Sequence, residues 1–318
     1  MSDLLVRAGE LLGTKHTTYV VARVTPAGAE VDARGTDVHG DVELGSVSKG
    51  ITGFVWRDAI SRGEVTDDAV LGDHLTVAGP VGDIRLSALA THTSGLPRLA
   101  GGSGMLRPSW ELWREGRNPY RDDLPDLLAQ VEHVKVGRAG KASYSNLGFQ
   151  LLGHSVAAAV GTTYAHLVRD RIAGPLEMDD TYVPYSEHEV RPGGVTPRNR
   201  GGRAVEPWAN EAVAPAGCAR SSATDLAVLL RAMLDGTVPG ADALDPVAAF
   251  GRRLRIGAGR LTGPMLRRTV TWHNGGTGGF RSFVGIDRDH GVGVALVSAS
   301  TRSVDSAAAR LLAEAGDA

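Results

Sequence analysis

One cysteine, Cys218, stands in 318 residues, so no intramolecular disulfide can form and four-cysteine zinc sites are excluded. Its setting, Ala-Pro-Ala-Gly-Cys-Ala-Arg-Ser-Ser, reads as a loop entering a helix and favours a small part-buried side chain over a nucleophile. An excess of one charge is missing too. The 34 basic and 36 acidic residues leave a formal net charge of −2, which gives no electrostatic case for nucleic acid or a membrane surface as partner. No stretch approaches the ~18 apolar residues of a membrane span. The start, Met-Ser-Asp-Leu-Leu-Val-Arg-Ala-Gly-Glu, lacks a basic region followed by an apolar run, so no secretory signal is visible and a cytoplasmic location is expected. Gly-x-Ser-x-Gly, Gly-x-x-x-x-Gly-Lys-Ser/Thr and His-Glu-x-x-His are absent, which removes a nucleophile elbow, a phosphate-binding loop and a zinc-protease helix. No pattern asks for a cofactor or a metal.

What remains is an ordinary globular composition, 42% hydrophobic and 22% charged, with length enough to bury a core. Thr17–Val24 is β-rich and leads through Pro-Ala-Gly to a second short strand near Ala29–Arg34, a hairpin signal. Val47–Arg62 carries Ile51, Val55, Trp56 and Ile60 at helical spacing and stops at Gly63. Helices are predicted over Leu124–Val131, Leu147–Val160, Tyr164–Ile172, Ala223–Leu234 (capped by Ser222) and Asp305–Glu314. Strands are predicted over Arg268–Trp272, Ser282–Asp287 and Gly293–Ser298, and loop-rich stretches near 94–120 and 183–215. Strands at both ends of the chain imply one α/β domain built from residues 1–63 and 216–318, with 64–215 a mostly helical insertion. A cleft between two such parts is a usual place for a site.

Lysine is also scarce, four against thirty arginines, and one of the four completes Ser46-Val47-Ser48-Lys49 at the start of a probable helix. Residues i and i+3 share a helix face. A serine hydroxyl is a poor nucleophile until a base takes its proton, and a desolvated lysine can be that base where arginine cannot. About 0.25 Ser-x-x-Lys matches are expected by chance in such a chain, so the pair alone is equally a helix cap and a solvated lysine. Tyr144-Ser145-Asn146 opens the Leu147–Val160 helix. A tyrosine near an ammonium can exchange a proton, and an asparagine offers both a donor and an acceptor to a lysine and a substrate amide. A core tyrosine followed by an Asn cap fits the same residues. Trp272-His273-Asn274-Gly275-Gly276-Thr277-Gly278-Gly279-Phe280 ends a strand in glycines, which let a backbone approach a ligand and offer its N–H groups. A tight hairpin turn reads the same way. The ten histidines are scattered, with His92 and His273 the two that could join a site. Lys135-Val136-Gly137, the only Lys-x-Gly, falls in a probable loop.

In this order, Ser46-x-x-Lys49, Tyr144-x-Asn146 and His273-x-Gly275 resemble the penicillin-recognising serine hydrolases, in the branch of class C β-lactamases, D-alanyl-D-alanine carboxypeptidases and family VIII esterases. Leu89-Ala-Thr-His-Thr-Ser-Gly-Leu-Pro97, Tyr144-Ser-Asn-Leu-Gly-Phe-Gln-Leu-Leu-Gly153 and Ser222-Ala-Thr-Asp-Leu226 extend the resemblance over most of the chain. It implies a central antiparallel sheet flanked by helices, plus a helical subdomain. By position it makes Ser46 the acylated nucleophile, Lys49 its proton acceptor or the partner that tunes Tyr144, and Tyr144 the proton shuttle. Asn146 would orient Lys49 and substrate, and His273, Asn274, Gly275 and Gly276 would line the binding strand. Gly276 would pair its N–H with that of Ser46 as an oxyanion hole. The family's penicillin-binding members usually carry Lys-Thr-Gly where this chain has His273-Asn274-Gly275, so carboxylate recognition at that place is expected to be weakened. The expected activity is hydrolysis of a small ester, amide or peptide through an acyl-enzyme. An acyltransferase or cyclising enzyme is the alternative, and a non-catalytic ligand-binding protein the third reading.

Overall fold

A computed structural model describes residues 2–77, 79–100 and 116–317. The first helix, α1 (Asp3–Leu12), has its N-cap in Ser2, whose hydroxyl accepts the Leu5 N–H at 3.1 Å. The hairpin β1 (Tyr19–Thr25) and β2 (Gly28–Arg34) follows, then the two-residue strand β3 (Val42–Glu43) and a short 3₁₀ turn over Gly45–Val47. Helix α2 (Ser48–Ser61) leads to α3 (Leu86–Ala90), α4 (Leu124–Val131), α5 (Asn146–Val160), α6 (Tyr164–Val168) and α7 (Ala214–Gly217). Strand β4 (Arg220–Ser221) pairs with β3, and α8 (Ala223–Asp235) follows it. Strands β5 (Ala248–Phe250), β6 (Leu254–Ile256), β7 (Leu261–Met265), β8 (Arg268–Gly276), β9 (Arg281–Asp287) and β10 (Val292–Ser298) then run before α9 (Asp305–Asp317).

The main sheet is antiparallel throughout, in the order β2-β1-β10-β9-β8-β7-β6-β5. The last strand therefore inserts beside the first hairpin, with Val21 opposite Leu296 and Ala22 opposite Ala295. Strand alternation sends residues to two separate cores. Val20, Ala22, Val24, Ala295 and Val297 face the large core that contains α2, α5 and α8. Tyr19, Val21, Val294 and Leu296 face a smaller one closed by α1 and α9. Both faces being covered, β10 is buried along its whole length, which explains its unbroken apolar run. The protein is thus a mixed α/β fold with a central antiparallel sheet flanked by helices.

The elements expected from periodicity are present, with small shifts at their ends. The helix expected from Val47 starts at Ser48, after the 3₁₀ turn. The helix expected over Tyr164–Ile172 is α helical only to Val168 and continues as a π turn over Arg169–Ala173. Part of the expected loop-rich stretch 94–120 lies outside the described residues. Helix α1 and strands β5 to β7 go beyond those expectations. The three strands are only three to five residues long, and one holds Pro264, so no period-2 pattern has room to appear.

Candidate active site

Ser46 sits at the centre of the 3₁₀ turn that joins β3 to α2, half-buried, with Lys49 one turn further on. The preceding Gly45 has φ +52, and a methyl group there would lie 2.7 Å from the Gly276 nitrogen. Both the left-handed backbone and the close approach of β8 require glycine at this position. Ser48 locks the turn: its hydroxyl donates to the Gly45 carbonyl at 2.7 Å and accepts the Ala219 N–H at 3.0 Å.

The Lys49 amine is sealed from water. It donates to Ser46 Oγ at 3.1 Å and to the Ala216 carbonyl, at the end of α7, at 2.6 Å. Burial pulls its pKa below the ordinary lysine value, the neighbouring Tyr144 pulls it back up, and Arg98 adds to the lowering. With one N–H held by a carbonyl, the neutral amine keeps a lone pair to turn toward the serine proton. Lys49 Nζ lies 5.1 Å from the centroid of the Tyr144 ring.

Tyr144 ends a loop held from several sides. Ser145 caps α5, its hydroxyl accepting the Gly148 N–H at 2.9 Å and donating to the Pro97 carbonyl at 2.7 Å. The cap is therefore Ser145, and Asn146 is the first helical residue, its N–H donating to the Arg98 carbonyl at 3.0 Å. The Asn146 Oδ1 atom is buried without a partner, an acceptor left open beside the lysine's helix. His92 is a second support. Its backbone is left-handed (φ +57), and its Nδ1 accepts the Ser145 N–H at 3.2 Å, which places its proton on Nε2. Its ring packs on Tyr144 at 4.6 Å and on Phe149 at 4.9 Å between centroids. Burial, with Lys49 nearby, pushes its pKa well down, so the imidazole is neutral.

Strand β8 forms the opposite wall. His273 faces the large core and lies 6.2 Å from the Tyr144 ring between centroids. Burial, reinforced by Lys49, pulls its pKa down to about 3. Its Nδ1 pairs with the Asn274 carbonyl, so in the neutral ring Nε2 carries the lone pair. Asn274 alternates to the other face of the sheet and is exposed. Gly275 packs so closely on the Ser46 turn that a methyl there would come 2.1 Å from the Leu44 oxygen and 3.0 Å from the Ser46 nitrogen. Thr277 N–H donates to the Phe280 carbonyl at 3.1 Å, which fixes the phase of the β8–β9 ladder and turns the Gly276 N–H away from β9. Pairing with β7 ends at Leu261 opposite Trp272, so among the described residues that edge of β8 carries no strand beyond Trp272.

Ser46, Lys49, Tyr144, His273, Gly275 and Gly276 thus come together, Asn146 opens α5 two residues beyond Tyr144 with no contact to Lys49, and the Asn274 side chain points elsewhere. Lys135 and Gly137 are on an exposed loop. Cys218 is buried and its thiol is pushed up to about 12 by desolvation, which leaves it no nucleophilic role. No group of three or more His, Cys, Asp or Glu side chains suited to a metal occurs among the described residues. Nor is any helix there long and apolar enough to cross a membrane. Two contributors were not singled out from the sequence: the Ala216 carbonyl on Lys49, and Arg98, whose charge adds to the lowering of the Lys49 pKa. Neither belongs to a motif, and only the fold brings them in.

A fold with the Ser46 turn wedged between a helix and a strand edge has known relatives. The chain belongs to the Beta-lactamase family, whose model matches residues 20–317. It is similar to the D-alanyl-D-alanine-carboxypeptidase/endopeptidase AmpH of Escherichia coli strain K12, 33% identical over 153 residues, 45% of this chain and 37% of that protein. The AmpH of Escherichia coli O157:H7 gives the same figures. The match thus spans little more than a third of these relatives. Among solved structures, a class C beta lactamase from Rhodobacter sphaeroides superposes over 100% of both chains with a TM-score of 0.82 at 19% identity, a likeness of fold.

Proposed function

We propose that this protein is a serine hydrolase that forms an acyl-enzyme at Ser46 and hydrolyses a small ester or amide. The observation that carries the reading is the water-free Lys49 amine 3.1 Å from Ser46 Oγ, its pKa lowered by burial. Ser46 Oγ attacks the substrate carbonyl carbon as its proton passes to Lys49, with Tyr144 alongside. The carbonyl oxygen becomes an oxyanion between the N–H groups of Ser46 and Gly276. Its collapse breaks the bond to the leaving alcohol or amine, which takes a proton through Tyr144. Water, deprotonated by the same tyrosine, then releases the acid and restores Ser46. Asn146, whose Oδ1 has no partner in the free protein, is an acceptor for a substrate amide N–H.

The AmpH likeness makes a peptide ending in D-alanyl-D-alanine one substrate to test, and penicillin another. The neutral His273 brings no positive charge to β8, which favours uncharged esters over β-lactams at that strand. Intact mass after incubation with a fluorophosphonate and with penicillin, beside a Ser46→Ala control, tests the acyl-enzyme. A single adduct on the wild type and none on the variant is expected; an unlabelled wild type ends the reading. Turnover of 4-nitrophenyl esters against a D-alanyl-D-alanine peptide then separates esterase from peptidase.

A further inference from the structure

Residues 133–143 hold Lys135, Arg138 and Lys141, spaced every third residue, and no acid. Two of the four lysines in the chain thus fall in one short loop. With Gly95, Pro97 and Ser143 the three cations line a trough of about 580 Å³ that has no carboxylate in its wall. All three are exposed, and among the described residues none makes an ion pair or a side-chain hydrogen bond. Elsewhere Arg7, Arg23, Arg57 and Arg288 each meet a carboxylate within 2.9 Å. Backbone hydrogen bonds hold the loop in place. The Gly137 N–H donates to the Gly95 carbonyl, the Gly140 N–H to the Thr93 carbonyl and the Ser143 N–H to the His92 carbonyl, each at 2.8 Å. The left-handed Gly95 (φ +79) permits the approach, since a methyl group there would lie 2.6 Å from the Gly137 oxygen. Like charges gathered on a fixed frame repel one another, and a bound anion relieves that cost.

The trough abuts the Ser46 cleft on the Tyr144 side. Ser143 immediately precedes Tyr144, and Pro97 immediately precedes Arg98, whose guanidinium lies 5.6 Å from the centroid of the Tyr144 ring. That ring is in turn 5.1 Å from Lys49 Nζ. Positive charge therefore continues from the cleft, past Arg98, into the trough.

We infer that the trough is a phosphate-binding subsite, and that the substrate of the Ser46 cleft is an acyl ester or thioester whose leaving group carries phosphate. This rests on the acyl-enzyme reading above and names its substrate class. The leaving group takes its proton through Tyr144, so the half of the substrate that departs is the half on the trough's side. Phosphate spreads its negative charge over several oxygens, which compact lysine ammonium groups meet as point charges and an arginine fork meets in pairs. The phosphate stays in the departing piece. Ser46 Oγ bonds to the acyl carbon, the bond from that carbon to the leaving oxygen or sulfur breaks, and no phosphoryl group moves.

The test compares butyryl-coenzyme A, which has phosphates in its leaving thiol, with S-butyryl-N-acetylcysteamine, which has the same thioester and none. The ratio of their kcat/KM values, read from thiol release, is expected to favour the phosphorylated thioester. It is expected to fall about 10- to 100-fold in the triple variant Lys135→Gln/Arg138→Gln/Lys141→Gln and to survive in Lys135→Arg/Lys141→Arg. Titration calorimetry with inorganic pyrophosphate gives a readout without turnover: saturable binding to the wild type, lost in the triple variant. Pyrophosphate that does not bind the wild type, or a ratio that the triple variant leaves unchanged, overturns the inference. Cleavage of 4-nitrophenyl esters with neither thioester turned over sinks this inference alone. A wild type that cleaves no ester and takes no fluorophosphonate ends the acyl-enzyme reading and this one with it.

Discussion

A lysine amine held 3.1 Å from a serine hydroxyl and shut off from water is a base whose strength is set by its surroundings. Because the folded protein lowers its pKa, the neutral amine is populated at lower pH than in a free lysine. The kcat/KM for an ester is therefore expected to rise with pH along a limb lying below 10.5, the ordinary lysine value. Lys49→Arg, which keeps its proton, is expected to lose that limb and about 10²–10⁴-fold in rate; a pH–rate profile of both proteins checks it. An unchanged profile would take the base role from Lys49. At this scale the sequence was informative where spacing itself carries the chemistry. Ser46 and Lys49 lie three residues apart and meet because a helix turn brings them together. Arg98, which acts on Lys49, was silent in the sequence, since one arginine among thirty has no pattern to mark it.

The ribbon of β3 and β4 carries the Ser46 turn. Val42 pairs with Ser221 and Glu43 with Arg220, and the strand then passes through Leu44, whose N–H donates to the Ala219 carbonyl at 2.9 Å, into Ser46. Arg220 holds Asp41 and Glu43 at once, and Glu43 Oε1 also accepts the Trp208 N–H at 3.0 Å. Burial pushes the Glu43 pKa up and Arg220 opposes it, so the arginine keeps that carboxylate usable as an anchor. Arg220→Ala strands two acids beneath the site. It is expected to cost about 3–5 kcal/mol of unfolding free energy, measured by urea denaturation, and to reduce ester turnover with it. A loss under about 1 kcal/mol would show that the ribbon stands without the ion pairs. Neither strand was legible as an element, because two residues cannot display a period. The long elements were: β1, β9, β10, α5 and α8 each run for seven residues or more with an apolar pattern. Helix α1 has apolar positions at Leu4, Leu5 and Ala8 and a Ser2 cap, a readable helix in a segment weighed only as a possible leader.

Across the whole molecule, burial keeps several histidines neutral, with consequences for acid stability. His273 is drawn to about 3 and His154 to about 4, both chiefly by desolvation, and His92 moves the same way. The unfolded chain binds protons at these sites near pH 6.5 and the folded one only far below it, so unfolding takes up protons between those values. Stability is then expected to rise with pH from about 4 to 6.5 and to level off above, each of the two histidines costing on the order of 2 kcal/mol at pH 5. His39, exposed and raised by Asp180, and the carboxyls of Asp225, raised to about 6 by burial, and Glu43, raised the same way, work in the opposite direction. Melting temperatures between pH 4.5 and 7.5 check this, and a flat curve would contradict the buried neutral state.

By itself the sequence determined the local facts: which segments are helix and strand, and that a serine and a lysine share a helix face. It also gave, in order along the chain, the three motifs on which the family resemblance rests. These depend on neighbours a few residues apart, and chain geometry fixes their relation. Only the tertiary structure decided what the site is made of beyond them. The Ala216 carbonyl on Lys49 and the His92 ring under Tyr144 meet over separations of 167 and 52 residues. Such meetings are set by sheet register and by the packing of α2, α5 and α7 around one core, which no local pattern in the chain encodes.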